Sequence, residues 1–293
     1  MDLFWQRVVD AIADGSIYAG AALALIVVFR ATRVVNFAQG EMAMLSAFVV
    51  WALAQAGLPI VVAMAGGVVF GGLLGAVISR CVMQPFAGGD HLREVMVTLG
   101  LFLVINAGAA YLFTTNPHRL ASPFPQGSWA VGGVQISYQR TAVLVSVLLM
   151  TAALSVWLHR TSAGLAMRAV ASSPASAELL GVDVRRTQVV GWAIAGAVGA
   201  LTATLVAPSL FLSTAMMGNV LIYAFAAAAL GGLDSVVGAV VGGLFVGLVQ
   251  NLAGGYVPFI GNELKVATAL TLIVVILLVR PQGIFGTARV ERV

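Results

Sequence analysis

The chain has 293 residues and a formal net charge of +4, with only 9% charged against 60% hydrophobic residues. At a mean hydropathy of +1.02, a water-soluble globule would lack the polar surface to cover its fold. The sequence therefore reads as an all-α polytopic integral membrane protein, because a chain in lipid must satisfy its backbone hydrogen bonds within its own helices.

Apolar stretches fall at 11–29, 37–56, 60–79, 94–113, 140–158, 187–207, 218–231, 236–253 and 263–279. They predict about eight or nine transmembrane helices, each of some 20 residues. The seventh is short and runs into Gly231, Gly232, Leu233, Asp234 and Ser235, the pattern of a half or broken helix. Among residues 1–14, Asp2, Asp10 and Asp14 stand where a signal peptide would carry basic residues, so the first apolar segment is expected to stay as a helix. Cys81 is the single cysteine and excludes an intrachain disulfide.

Lysine and arginine counting sets an orientation. With the C-terminus inside, Arg30, Arg33, Arg80, Arg93, Arg160, Arg168, Arg185, Arg186, Arg280, Arg289 and Arg292 fall inside, and Arg7, Arg119, Arg140 and Lys265 outside. The bias predicts an external N-terminus and a cytoplasmic C-terminus. Because these charges are spread between apolar segments, they form no nucleic-acid patch.

Two connections are long. Residues 114–139 form an extracytoplasmic loop, in which Gly132 and Gly133 between Ser128-Trp129-Ala130-Val131 and Val134-Gln135-Ile136-Ser137 predict a small hairpin. Residues 159–186 form a cytoplasmic loop holding a self-capped short helix: Ser173 as N-cap, Pro174 at the first helical position, Gly181 as the stop. Such a helix either docks on a partner or lies on lipid headgroups, and its modest apolar content favours docking.

Gly67, Gly71 and Gly75, then Gly238, Gly242, Gly243 and Gly247, recur at helical spacing. They mark close helix approach, either ordinary packing within the chain or packing around a pathway or dimer seam. Lys265, the only lysine, follows no glycine-rich run, so the chain has no P-loop. His91, His118 and His159 are scattered, which argues against a metal site or a nucleophile dyad and against an enzyme. No cofactor is expected.

Acids at membrane depth mark pathways. Glu41 opens the second segment, and Asp234 sits between the seventh and eighth. Both follow a glycine break and both also suit a helix first turn, where the dipole stabilises an acid. Ser16, Tyr18, Thr98, Asn106, Thr202, Thr204, Asn219, Tyr223, Gln250, Asn251 and Thr268 are neutral polar residues within the spans. A lining of this kind suits a small neutral or zwitterionic solute.

Several motifs carry a family resemblance. Residues 36–42, Asn-Phe-Ala-Gln-Gly-Glu-Met, resemble a signature N-F-A-H-G-E-x, with Gln39 where His is commoner. Gly15 to Ala19 is similar to the same family's first helix, and 168–171 with 177–182 resemble its coupling loop. Residues 229–239 resemble its G-G-x-G-S-x-x-G-A stretch, with Asp234 where Gly is usual, and 280–286 its R-P-x-G-L-F-G ending. The chain is thereby identified as a member of the branched-chain amino-acid ABC-importer permease family of the LivH type.

That resemblance implies one transmembrane permease domain over 1–293 in a bacterial inner membrane. It implies two cytoplasmic ABC ATPase subunits, a related second permease, a soluble extracytoplasmic solute-binding protein and surrounding lipid as partners. Arg168, Pro174, Glu178, Leu179 and Gly181 would transmit force from the ATPases. Ser16, Tyr18, Asn36, Gln39, Gly40, Glu41, Thr98, Gly231, Gly232, Asp234 and Ser235 are the candidate pathway residues, although the family's Gly at 234 argues against an essential ligand role for Asp234. A stand-alone facilitator, or an importer permease for urea or amides, also fits the residues.

Overall fold

The computed structural model describes residues 2–87, 91–258, 261, 264–280 and 282–286. Asn262, Glu263, Pro281, Arg289 and Arg292 lie outside the described residues.

Helices dominate: α1 (Asp2–Thr32), α2 (Gln39–Gln55), α3 (Ile60–Val77), α4 (His91–Phe113), α5 (Tyr138–Arg160), α6 (Ser162–Ser172), α7 (Pro174–Leu179), α8 (Val184–Leu210), α9 (Met216–Gly231), α10 (Val236–Tyr256) and α11 (Lys265–Val279). Among the described residues, six are long and apolar enough to cross a bilayer: α1, α3 with its extension to Phe86, α4, α5, α8 and α10. The protein is thus a polytopic α-helical membrane protein. The apolar stretches around α2, α9 and α11 give helices of only 17, 16 and 15 residues, short of the roughly 20 that span hydrocarbon upright.

α1 is the centre. Its apolar window is 78% buried, against 22% for α3 and α5 and 11% for α4, whose outer faces are left for lipid. Enclosure demands small residues. A side chain on Gly243 would run into Ala19, and one on Gly247 into Ala11 and Gly15, so α10 lies backbone-close along α1. The same logic joins α3 to α8, where Gly71 meets the Gly196 carbonyl and Gly75 that of Trp192. The glycine spacing therefore serves packing within the chain.

Polar pairs fix the register of these contacts. Tyr18 on α1 donates to Gln250 on α10 at 2.5 Å, and Asn251 donates to Asp14 at 3.0 Å. Tyr18 also stacks on Tyr223 of α9, centroids 4.6 Å apart. Each interhelical hydrogen bond of this type contributes about 0.6 kcal/mol.

α1 begins nine residues, about two and a half turns, before the predicted span. One face of its added turns meets the loop over 114–137: Gln6 donates to the Gln135 carbonyl at 3.1 Å and accepts from its amide at 2.8 Å, while Arg140 pairs with Asp10. The predicted hairpin is present as β1 (Ser128–Val131) and β2 (Val134–Ser137), antiparallel, with Val131 opposite Val134. Gly132 and Gly133 take φ of 57° and 83°, the left-handed pair that a two-residue turn of matching twist requires.

At the opposite end, α6 is a further helix within the segment 159–186 expected as loop. The Thr161 hydroxyl caps it by accepting from the Gly164 amide at 3.0 Å. Gly164 sits where a side chain would strike the carbonyl of Trp157, so the tight α5–α6 corner selects a poor helix former in the first turn.

Candidate functional site

The candidate pathway residues fall in three places. The first is the entry to α2. After Arg33, at φ 60°, residues 34–38 run without regular structure into the protein, and α2 starts at Gln39. Irregular backbone at membrane depth survives only where protein supplies its hydrogen bonds. Here Asn36, fully buried, accepts from the Ala38 amide at 3.0 Å and donates to Gln39 at 3.1 Å. Gln39 passes the chain on to the Ala195 carbonyl of α8 at 3.1 Å. On the other side, Thr98 of α4 accepts weakly from the Phe37 amide at 3.4 Å. Asn36, Gln39 and Thr98 are thus the fastenings of the entry.

Gly40 and Glu41 follow in the first turn of α2. Gly40 lies against Leu221 and Met217 of α9. Glu41, 2% exposed, accepts from Asn106 of α4 at 3.0 Å, and the same amide donates to the Thr214 carbonyl, also at 3.0 Å. One amide thereby ties three pieces together: the start of α2, the middle of α4 and the irregular turn before α9. Asn106 stands 65 residues from Glu41. The sequence shows it as a polar residue in a span, but nothing in the sequence pairs the two.

Ser16 and Tyr18 lie elsewhere. Ser16 is fully buried and donates to the Ala13 carbonyl of its own helix at 2.6 Å. Tyr18 is engaged with Gln250. Tyr18 thus lies where α1 meets both α10 and α9.

Gly231, Gly232, Asp234 and Ser235 form the third group, at the end that carries α6. Gly232 takes φ 97° and ends α9. Ser235 caps α10 by accepting from the Gly238 amide at 2.9 Å. The segment 282–286 lies along the break: Ile284 donates to the Leu230 carbonyl at 2.7 Å and Phe285 to that of Gly231 at 3.1 Å. These bonds satisfy carbonyls that a helix end leaves open. A side chain on Gly232 would strike Gly286, so the glycine is there to admit the tail. Asp234 acts electrostatically on Arg30, which also feels Arg168 and Arg33. Arg33 in turn donates to the Ala171 carbonyl at the end of α6, through Nε at 2.8 Å.

The self-capped helix is α7. Ser173 accepts from the Ser176 amide at 3.2 Å. At its other end Gly181, φ 82°, donates to Glu178 at 2.9 Å and Val182 to Ala177 at 3.0 Å, the paired bonds of a Schellman stop. Pro174, Glu178 and Gly181 are exposed. Leu179 and Leu180 are 89% and 83% exposed, while Ala177 on the opposite side is buried. Arg168 is half-buried on α6, its Nε buried with no hydrogen-bond partner among the described residues.

Known proteins share this chain's sequence over nearly its full length. A family described as branched-chain amino acid transport system / permease component matches residues 7–279. The chain is 28% identical to the high-affinity branched-chain amino acid transport system permease protein BraD of Pseudomonas aeruginosa, over 99% of this chain and 98% of that protein. It is 27% identical, with the same coverage, to the permease protein LivH of Escherichia coli. A probable LivH of Methanocaldococcus jannaschii is 26% identical over 90% of this chain and 87% of its own. Among solved structures, PsaBC from Streptococcus pneumoniae in complex with Fab is similar at 12% identity and a TM-score of 0.49, covering 96% of this chain and 93% of that one. The match over residues 7–279 places the chain in the family of permease components of branched-chain amino acid transport systems.

Proposed function

We propose that the chain is the transmembrane subunit of an ABC importer for branched-chain or related amino acids, forming half of a translocation pathway in a bacterial inner membrane. The observation that carries this reading is the family match across residues 7–279. The partners are two cytoplasmic ATPases, a related second permease and a soluble extracytoplasmic binding protein. Together with the irregular backbone that flanks them, the three short helices bring the spans to about eight or nine. Arginine placement supports a cytoplasmic C-terminus and puts α6 and α7 inside, the hairpin outside.

In this reading α7 is the ATPase contact. Its two exposed leucines are the apolar face such docking needs, and the Arg33–Ala171 link joins α6 to the end of α1. The entry at 33–38 and the Glu41–Asn106–Thr214 knot hold α2, α4 and α9 in one arrangement, and the solute passes beside them. Uptake of labelled leucine by cells lacking their own carriers, expressing this chain with its genomic neighbours, tests the reading. Glu41→Gln keeps an oxygen for Asn106 while removing the charge, and is expected to assemble normally but reduce uptake at least about tenfold if the charge meets the solute. Uptake of leucine by the chain alone, without ATPases, would instead identify a facilitator; uptake of urea or amides but not leucine would shift the substrate.

A further inference from the structure

We propose that Asn219 is a solute-contacting side chain near the midplane of the pathway, on the wall that this subunit presents to a zwitterionic amino acid. The proposal rests on the importer reading and names, within it, a residue that meets the solute.

Depth comes from the helices. Asn106 lies on α4, which ends on the outer side at Phe113, so it sits roughly 10 Å inward along the axis at 1.5 Å per residue. Its amide holds the Thr214 carbonyl. α9 begins at Met216 and runs inward to the break at Gly231. Asn219, one turn into α9, is then about 15 Å below the outer end of α4, half of a hydrocarbon core of about 30 Å.

At that depth Asn219 is exposed, as is Ala215 one turn before it. Nothing lies within 4 Å of the place a Cβ on Gly218 would occupy. Lipid does not suit such a strip. An amide facing hydrocarbon gives up its hydrogen bonds to water with no replacement, and polar groups at this depth face protein or a wet cavity. The lipid-facing side of α4 shows the contrast, with Leu103 and Val104 exposed at 66% and 70%.

The chemistry of the side chain defines the solute. A carboxamide donates to a carboxylate and accepts from an ammonium, and carries no charge to hold either one tightly. A pathway must release what it binds, so a neutral group offering both functions suits passage of a zwitterion better than a fixed charge.

The test uses the lone cysteine. In a Cys81→Ser background, single cysteines replace Asn219, Ala215 and, as the lipid-facing control, Val104. The chain is assembled with its partners in proteoliposomes and exposed to a membrane-impermeant methanethiosulfonate bearing a quaternary ammonium. Such a reagent needs a hydrated thiolate, so the Asn219→Cys and Ala215→Cys chains are expected to react at least about tenfold faster than Val104→Cys. Leucine with its binding protein and ATP should slow the Asn219→Cys reaction. Asn219→Ala should lower uptake with assembly intact, and Asn219→Gln should restore part of it. Labelling no faster than at Val104, or labelling indifferent to every amino acid tried, would overturn solute contact. Failure of the unsubstituted assembly to move any amino acid would refute the importer reading separately.

Discussion

The carbonyl of Trp192 stands where a side chain on Gly75 would begin, whereas a side chain on Gly108 of α4 would meet nothing within 4 Å. Two glycines in apolar helices therefore have opposite tolerance. Gly75→Leu must push α3 off α8, an overpacking cost of about 1–3 kcal/mol or more, while Gly108→Leu adds a side chain to open space. Melting of the two variants purified in one detergent should show a clear drop in Tm for the first and none for the second; equal drops would mean that α3 and α8 do not pack as described. The four-residue spacing of Gly67, Gly71 and Gly75 was legible because it fixes one face of one helix. It carries no information on the neighbour, so α8 as partner of α3, and α1 and α9 as partners of the two glycine pairs of α10, appear only in three dimensions. Glu41 and Asn106 show the same limit: two polar residues were visible, and their hydrogen bond was not.

At the scale of elements, the break between α9 and α10 was legible from Gly231, Gly232 and Ser235, because punctuation of a helix is local chemistry. Its cover was not. The tail reaches the break from 54 residues further on, donating from Ile284 to the Leu230 carbonyl in a contact that no local pattern announces. Ile284→Pro removes that donor and leaves a carbonyl open at a buried helix end, a loss of roughly 1–3 kcal/mol. The variant is expected to melt lower than Ile284→Ala, which keeps the amide; the reverse order would show that the side chain alone matters. α7 was legible to the residue, since Ser173, Pro174 and Gly181 are each a terminal signal. α6 was missed because Gly164, required by the corner with α5, weakens the helical pattern at its start. The first turns of α1 lie outside the predicted span because Gln6 and Asp10 read as polar sequence, whereas they face the hairpin and Arg140.

For the whole molecule, membrane class and helix order followed from hydropathy, since lipid leaves a chain few options. Helix length is a weaker guide to what crosses. Among the described residues six helices are long and apolar enough to cross a bilayer, and α2 and α9 are short because each begins after irregular backbone held inside the protein. The result is a molecule with two different ends: one carries the hairpin, with the Gln6 and Arg140 contacts to α1, and the other gathers α6, α7, Arg30, Asp234 and the tail. At the hairpin end Phe4 touches both Trp5 and Tyr256, with Arg7 over the Tyr256 ring, an aromatic group that suits a headgroup layer.

The central claim is that this permease is driven through α7 by separate ATPases. The direct measurement is co-purification of the tagged chain from cells expressing its genomic neighbours, with residues 174–180 either native or replaced by a Gly/Ser linker. The account predicts P-loop ATPases bound to the native chain and lost from the linker variant, while the second permease stays bound to both. ATPases retained by the linker variant would contradict the role of α7, and a native chain purified alone yet passing leucine would contradict the importer itself.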